Sequence, residues 1–201
     1  MRKLALAWAI IIILAGLSSL GACNAAGGGI VESSLATTLA EAITDGTHAN
    51  SVPIPGASMT TEYNEKVKNR TTNLVLATKA INGTILQPGE VFSFNETIGK
   101  TTRAKGYKPA KIFVRGKEAE AMGGGICQVS STLYNAADYG GMEITERHPH
   151  SKKVGYVPDG RDASVSYGGV DLKFRNTLPH PVKIVATAAG GKLTISLEAV
   201  I

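Results

Sequence analysis

Three consecutive glycines, Gly123-Gly124-Gly125, run directly into Ile126-Cys127-Gln128-Val129-Ser130-Ser131-Thr132-Leu133-Tyr134, and this junction restricts the fold more than any other stretch. A backbone strip without side chains lets another segment or a ligand lie close against it. From Gln128 to Tyr139 the apolar residues Val129, Leu133 and Ala136 recur at helical spacing, and Gly140-Gly141 supplies a C-cap signal. Cys127 therefore falls at or just before the first turn of a helix. Unpaired amide N–H groups and the helix dipole favour an anion at that point, and a thiol placed there is biased toward thiolate. The plain alternative is a small buried residue at a tight helix–loop contact.

The N-terminus reads as an export signal. Arg2-Lys3 form a positive n-region, Leu4 to Leu20 are almost wholly apolar, and Leu20-Gly21-Ala22-Cys23 closes the run with small residues. This ending resembles the bacterial lipobox, in which the cysteine is lipidated and becomes residue one after cleavage. It implies a signal peptide over 1–22, lipidation of Cys23, and an extracytoplasmic protein lipid-anchored to the bacterial membrane. Cys127 is then the sole remaining thiol, so no internal disulfide forms. Without Arg2 and Lys3, 19 basic residues face 16 acidic ones, with no basic stripe interleaved with aromatics; nucleic acid is not an expected partner.

Residues 23–62 mix small and polar types around Pro53-Ile54-Pro55-Gly56 and read as a flexible lipid-anchored tether, leaving one folded domain over 63–201. Within it, Asn69 to Asn82 reads as an amphipathic helix, with Leu74, Ala77 and Ile81 on one face. Short strands flank Gln87-Pro88-Gly89-Glu90, and Ala110 to Val114 with Glu118 to Ala121 form another pair. Beyond the Cys127 helix the pattern is β: Met142 to Arg147, Val154 to Val157, Asp162 to Tyr167 and Val170 to Phe174. A last hairpin, Val182 to Thr187 with Lys192 to Glu198, turns at Gly190-Gly191. The expected class is α+β, with one or two helices packed on an antiparallel sheet or a partly closed barrel.

Several motifs resemble the VanW-like family. They are Asn82-Gly83-Thr84, Leu86 to Asn95 (LQPGEVFSFN), Gly123 to Ala137 (GGGICQVSSTLYNAA), Glu146 to Ser151 (ERHPHS), Gly160 to Ala163 (GRDA) and Asp171 to Asn176 (DLKFRN). The likeness runs from about Tyr63 to Ile201 and implies peptidoglycan as the setting, in a minimal form without the N-terminal domains of larger members. It does not by itself imply an activity.

Four chemistries fit the residues. In the first, Cys127 is a nucleophile, His148 or His150 takes its proton, Asp162 orients the histidine, and amides from Gly125 to Gln128 form an oxyanion hole. This is peptidase- or transpeptidase-like chemistry that needs no cofactor. In the second, His148-Pro149-His150 with Cys127 or Asp162 ligates zinc, although no HExxH motif supports it. The third makes Asp162 a lone general acid on a glycosidic bond, as in lytic transglycosylases; the sequence does not place a second carboxylate, Asp171 or Glu146, at hydrolase spacing. The fourth is a non-catalytic binder of glycan strands or stem peptides. There Tyr107, Tyr134, Tyr156 and Tyr167 stack, Arg147 or Arg161 holds carboxylates, and Gly123, Gly124, Gly125, Gln128, Ser130 and Thr132 line the contact.

Cys23→Ser is expected to leave the precursor uncleaved or to release the protein from membranes, because lipid supplies most of the attachment. Fractionation checks this; a correctly processed Cys23→Ser protein retained on membranes contradicts it.

Overall fold

A computed structural model describes residues 50–114 and 117–201. The expected signal peptide and Cys23 lie outside the described residues. Among the described residues no helix is long and apolar enough to cross a membrane.

The largest sheet has four antiparallel strands in the order β1-β9-β8-β2: β1 (Ser51–Glu62), β9 (Lys192–Val200), β8 (Val182–Ala189) and β2 (Ile85–Leu86). Its centre is the C-terminal hairpin, with Gly190 and Gly191 at φ 58° and 73°. Two successive positive φ angles are what a tight two-residue hairpin turn demands. Strict alternation puts Val182, Ile184 and Ala186 of β8, and Leu193, Ile195 and Leu197 of β9, on the buried face. Helix α1 (Lys68–Ile81) and helix α3 (Ile126–Tyr139) cover that face. Leu74, Ala77 and Ile81 of α1 meet Val129, Leu133, Ala136 and Ala137 of α3 in one apolar core.

A second sheet, β3-β7-β6, joins β3 (Val91–Ser93), β7 (Lys173–Arg175) and β6 (Glu143–Glu146), all antiparallel. Phe92 and Phe174 stack across it with centroids 5.0 Å apart. The third sheet is the hairpin β4 (Pro109–Val114) and β5 (Lys117–Met122), which delivers the chain to the glycine loop. The fold is α+β, and among the described residues there is no closed barrel; the antiparallel strands there fall into three open sheets instead.

Three local expectations need correction. The last twelve residues assigned to the tether are strand β1, paired with β9 from Ser51↔Val200 to Glu62↔Lys192. Pro53, Pro55 and Gly56 sit where the register slips between Pro53 and Ser58, and prolines are tolerated on an edge strand. Past that bulge Ala57, Met59 and Thr61 turn inward toward the helices. Secondly, a short helix α2 (Phe94–Ile98) follows β3 directly. Ser93 Oγ accepts the Glu96 N–H at 3.1 Å, so Ser93-Phe94-Asn95-Glu96 carries an N-cap signature. Thirdly, neither Val154 to Val157 nor Asp162 to Tyr167 is a strand. Backbone groups of the second segment bond to side chains of α3 rather than to another strand.

A chain beginning at Tyr63 should lose its cooperative thermal unfolding transition, or shift it down by at least about 10 °C, relative to one beginning at Asn50. Removing β1 bares the β9 edge and uncovers Thr132 and the α3 core face. Equal transitions in the two chains would return 51–62 to the role of a tether.

Candidate active site

Helix α3 has two working faces. Val129, Leu133, Ala136 and Ala137 point to the core, while Cys127, Ser130, Ser131, Tyr134, Asn135 and Asp138 recur at i, i+3, i+4, i+7, i+8 and i+11. That polar stripe docks on residues 147–165. Ser130 Oγ donates to Ala163 O at 2.6 Å, and Ser131 Oγ accepts the Ala163 N–H at 2.9 Å. Asn135 Nδ2 donates to Arg161 O at 2.7 Å, and Arg161 returns Nε to Asn135 Oδ1 at 2.7 Å and Nη1 to Asp138 Oδ2 at 2.8 Å.

The docking brings Asp162 to the start of the helix. Its Oδ2 accepts both the backbone N–H and the ring Nδ1 of His150, each at 2.6 Å. Arg147 holds the other side, donating Nη2 to Asp162 Oδ1 at 3.1 Å and Nε to Asp162 O at 2.6 Å. With Nδ1 engaged by Asp162, Nε2 is the other ring nitrogen, and Cys127 stands near enough to the imidazole to raise its pKa. The half-buried Cys127 Sγ also lies 3.5 Å from Val165 O.

Charge at this cluster is self-consistent. Burial alone would lower the basicity of His150, but hydrogen bonds and charge from Cys127 and Asp162 outweigh it and raise its pKa above the ordinary imidazole value. Burial pushes Asp162 the opposite way from its partners; the His150 backbone, ring and charge prevail and hold its carboxyl below the usual range. Tyr156 completes the wall. Burial foremost, and the neighbouring Cys127 next, raise its phenol pKa strongly, so it stays protonated. Arg70 stands over the ring, 6.0 Å from its centroid.

The glycine loop is filled by the protein itself. A Cβ on Gly123 would meet Thr101 at 2.9 Å, one on Gly124 would meet Ala110 O at 2.7 Å, and one on Gly125 would meet Arg70 at 2.9 Å. Buried Asn73 of α1 clamps the loop, donating Nδ2 to Gly124 O at 3.0 Å and Lys108 O at 2.9 Å. The three glycines therefore serve close packing against Thr101, β4 and helix α1. Two loop amides are committed: Ile126 N–H to Gly123 O at 3.2 Å and Gln128 N–H to Gly125 O at 3.1 Å. Among the described residues no acceptor pairs with the amides of Gly125 and Cys127, which leaves them available to donate.

The other sequence candidates separate by burial. Gln128 is buried and bridges Arg70 Nη2 at 2.7 Å to Glu62 O at 2.8 Å, Thr132 bonds Thr61 at 2.9 Å, and Ser130 holds Ala163. None of the three faces a ligand. Tyr107 is buried, and Tyr134 lies under Arg147 and Arg161, whose guanidinium carbons stand 5.2 and 5.0 Å from its ring centroid. Arg147 is spent on internal partners, whereas Arg161 keeps a buried Nη2 without a hydrogen-bond partner among the described residues. Tyr167 is 60% exposed and lies outside the thiol cluster. His148 turns from the sulfur to Glu146, with Nε2 at 3.1 Å from Oε1, so the two histidines do not converge on one metal. Among the described residues no histidine, cysteine or carboxylate group has metal-holding geometry. The partners of Asp162 hold its carboxyl below the usual range, which disfavours a general-acid role.

Sequence reasoning assigned no role to Ser131, Asn135, Asp138, Arg70 or Asn73. The stripe starting at Cys127 was the available signal for the first three.

His150 and Asp162 set a pH signature on stability. A raised histidine pKa contributes fully below about 6.5 and is lost as pH climbs through the folded value. The depressed Asp162 contributes above about 3.9 and is lost as pH falls through its folded value. Unfolding free energy should therefore peak between those two ordinary values, and His150→Ala should remove the decline on the alkaline side. Chemical denaturation across pH checks this; an unchanged alkaline decline in His150→Ala assigns it to other groups.

Comparison with known proteins gives the chain its lineage. It is 49% identical over 137 residues to the protein YoaR of Bacillus subtilis, covering 68% of this chain and 45% of that protein. It is 35% identical over 114 residues to the vancomycin B-type resistance protein VanW of Enterococcus faecalis, covering 54% of this chain and 42% of that one. The chain thus spans under half the length of each of these relatives. No solved structure matches it. The VanW like protein family model matches residues 69–198, from helix α1 through strand β9 and across the whole Cys127–His150–Asp162 cluster, and the chain belongs to that family.

Proposed function

We propose that this domain is a thiol-dependent acyl-transfer enzyme acting on the peptide part of peptidoglycan, held outside the cytoplasmic membrane by lipid on Cys23. The observation that carries the reading is Cys127 at the start of a helix beside His150, whose ring Nδ1 is bound by Asp162. The wall as the setting is supported by the similarity to a vancomycin B-type resistance protein.

The chemistry follows from the positions. Cys127 gives its proton to His150 Nε2, and the sulfur attacks a peptide carbonyl to form a C–S bond. The carbonyl oxygen takes the negative charge beside the Cys127 and Gly125 amides. His150 then protonates the departing amine as the C–N bond breaks, leaving a thioester on Cys127. Attack by water, with His150 again accepting a proton, gives peptide hydrolysis; attack by a second amine gives transpeptidation. Asp162 keeps the ring oriented and stabilises its cationic form, and it does not itself exchange the proton. Arg147 positions Asp162. Tyr156, kept neutral, closes the site beside the sulfur and offers a hydroxyl rather than a charge.

Incubation with soluble stem peptides, followed by intact-mass measurement, tests the reading. The native protein should acquire an acyl mass on Cys127 that hydroxylamine removes. Cys127→Ser should acquire none. His150→Ala should slow its appearance at least about 100-fold, the typical contribution of a positioned general acid–base. A native thiol that neither forms the adduct nor reacts with iodoacetamide until the domain unfolds would make Cys127 a structural residue.

A further inference from the structure

The segment that carries Asp162 and the Val165 carbonyl continues into Tyr167, at the edge of an open groove of ≈ 500 Å³. Asn95, Glu96, Glu146, Asp171 and Lys173 line it with Tyr167. Its volume falls in the range of small-molecule clefts. The groove and the thiol cluster flank the same two segments: His148, two residues from His150, binds Glu146, and Asn95 Nδ2 donates to Ser166 O at 2.9 Å.

The groove contains three carboxylates, but two of them are already used. Glu146 Oε2 pairs with Lys173 Nζ at 2.9 Å, while its Oε1 takes His148 at 3.1 Å and the Asp171 N–H at 3.0 Å. Asp171 accepts Ser93 Oγ at 2.6 Å and the N–H groups of Asn95 and Leu172 at 2.9 and 2.8 Å. A cationic peptide would therefore meet Glu96 as the uncommitted carboxylate, not a matched set, and a polyanion would be repelled by it. The groups that remain are acceptors, the part-exposed Lys173 ammonium beyond its bond to Glu146, and an aromatic face. Asn95 spends its two N–H groups on Ser166 O and Val170 O and keeps Oδ1. Tyr167 offers a ring that is 60% exposed. Sugars supply the complement: hydroxyl and amide N–H donors at the rim and an apolar C–H face for the ring.

We infer that this groove is a subsite for a neutral saccharide chain of hexosamine type. The inference rests on the acyl-transfer reading for its place beside the thiol, and it gives the sugar part of the same polymer a position while the peptide lies at Cys127.

Amide NMR of the purified full chain, titrated with tetra-N-acetylchitotetraose and separately with trilysine, tests it. The sugar should shift amides in residues 93–96 and 167–173. Tyr167→Ala should weaken binding about fivefold or more, whereas Tyr167→Phe, which keeps the ring, should stay within about twofold. Cys127→Ser should bind the sugar normally while losing the acyl adduct, so failure at the groove is distinguishable from failure at the thiol. No shift at millimolar sugar overturns the inference. So does equal binding in Tyr167→Ala, or trilysine shifting these amides in place of the sugar.

Discussion

Ala163 is held by helix α3 from both of its backbone groups. Ser131 Oγ accepts its N–H and Ser130 Oγ donates to its C=O, both buried. A segment with no strand partner must satisfy its polar backbone in some other way, or each buried orphan costs roughly 1–3 kcal/mol. Here the partners are consecutive serines on a helix whose opposite face is the core. The arrangement fixes Asp162, one residue earlier, against His150, and Val165, two residues later, against the Cys127 sulfur. Loss of the Ser131 hydroxyl would strand the Ala163 N–H, and loss of Ser130 would leave the Ala163 carbonyl only the 3.3 Å bond from Ser131; either loosens the thiol cluster.

The other half of the cluster depends on close packing behind it. Gly124 lies against Ala110 O, and its own carbonyl is bound by Asn73, which is buried in α1. Adding even a methyl group there forces backbone apart, the kind of overpacking that costs about 1–3 kcal/mol. Because the loop enters the helix at Gly125, with φ 113°, a side chain at that position would be strained as well as crowded by Arg70. The glycines thus bring the helix start to a defined place, and the place is where a thiol meets an imidazole.

Much of this was legible in the sequence, and the exceptions share a cause. Helices α1 and α3 and the C-terminal hairpin have clean periodicity and glycine punctuation, because local pattern and burial coincide there. Strand β1 was obscured by Pro53, Pro55 and Gly56, which read as breakers but sit at an edge bulge where the ladder asks little of them. The alternation of Ala163, Val165 and Tyr167 suggested a strand; two of these residues are buried, yet their backbone partners are helix side chains that no strand pattern reveals. His148 and His150 were equivalent by spacing. They part because Glu146 and Asp162 pull them to different sites, a tertiary fact. The polar stripe on α3 was readable at i, i+3 and i+4, and it carried the docking of the acid segment.

The central claim is that Cys127 and Asp162 jointly hold His150 in its cationic form against the cost of burial. The most direct measurement is the midpoint of the His150 imidazole by NMR titration, in the native protein, Cys127→Ser and Asp162→Asn. The account predicts a native midpoint above the ordinary value of about 6.5 and a fall in both variants, since burial then acts with less opposition. A native midpoint at or below that value, unchanged when the sulfur is replaced, would mean that the thiol and the imidazole do not act as a pair.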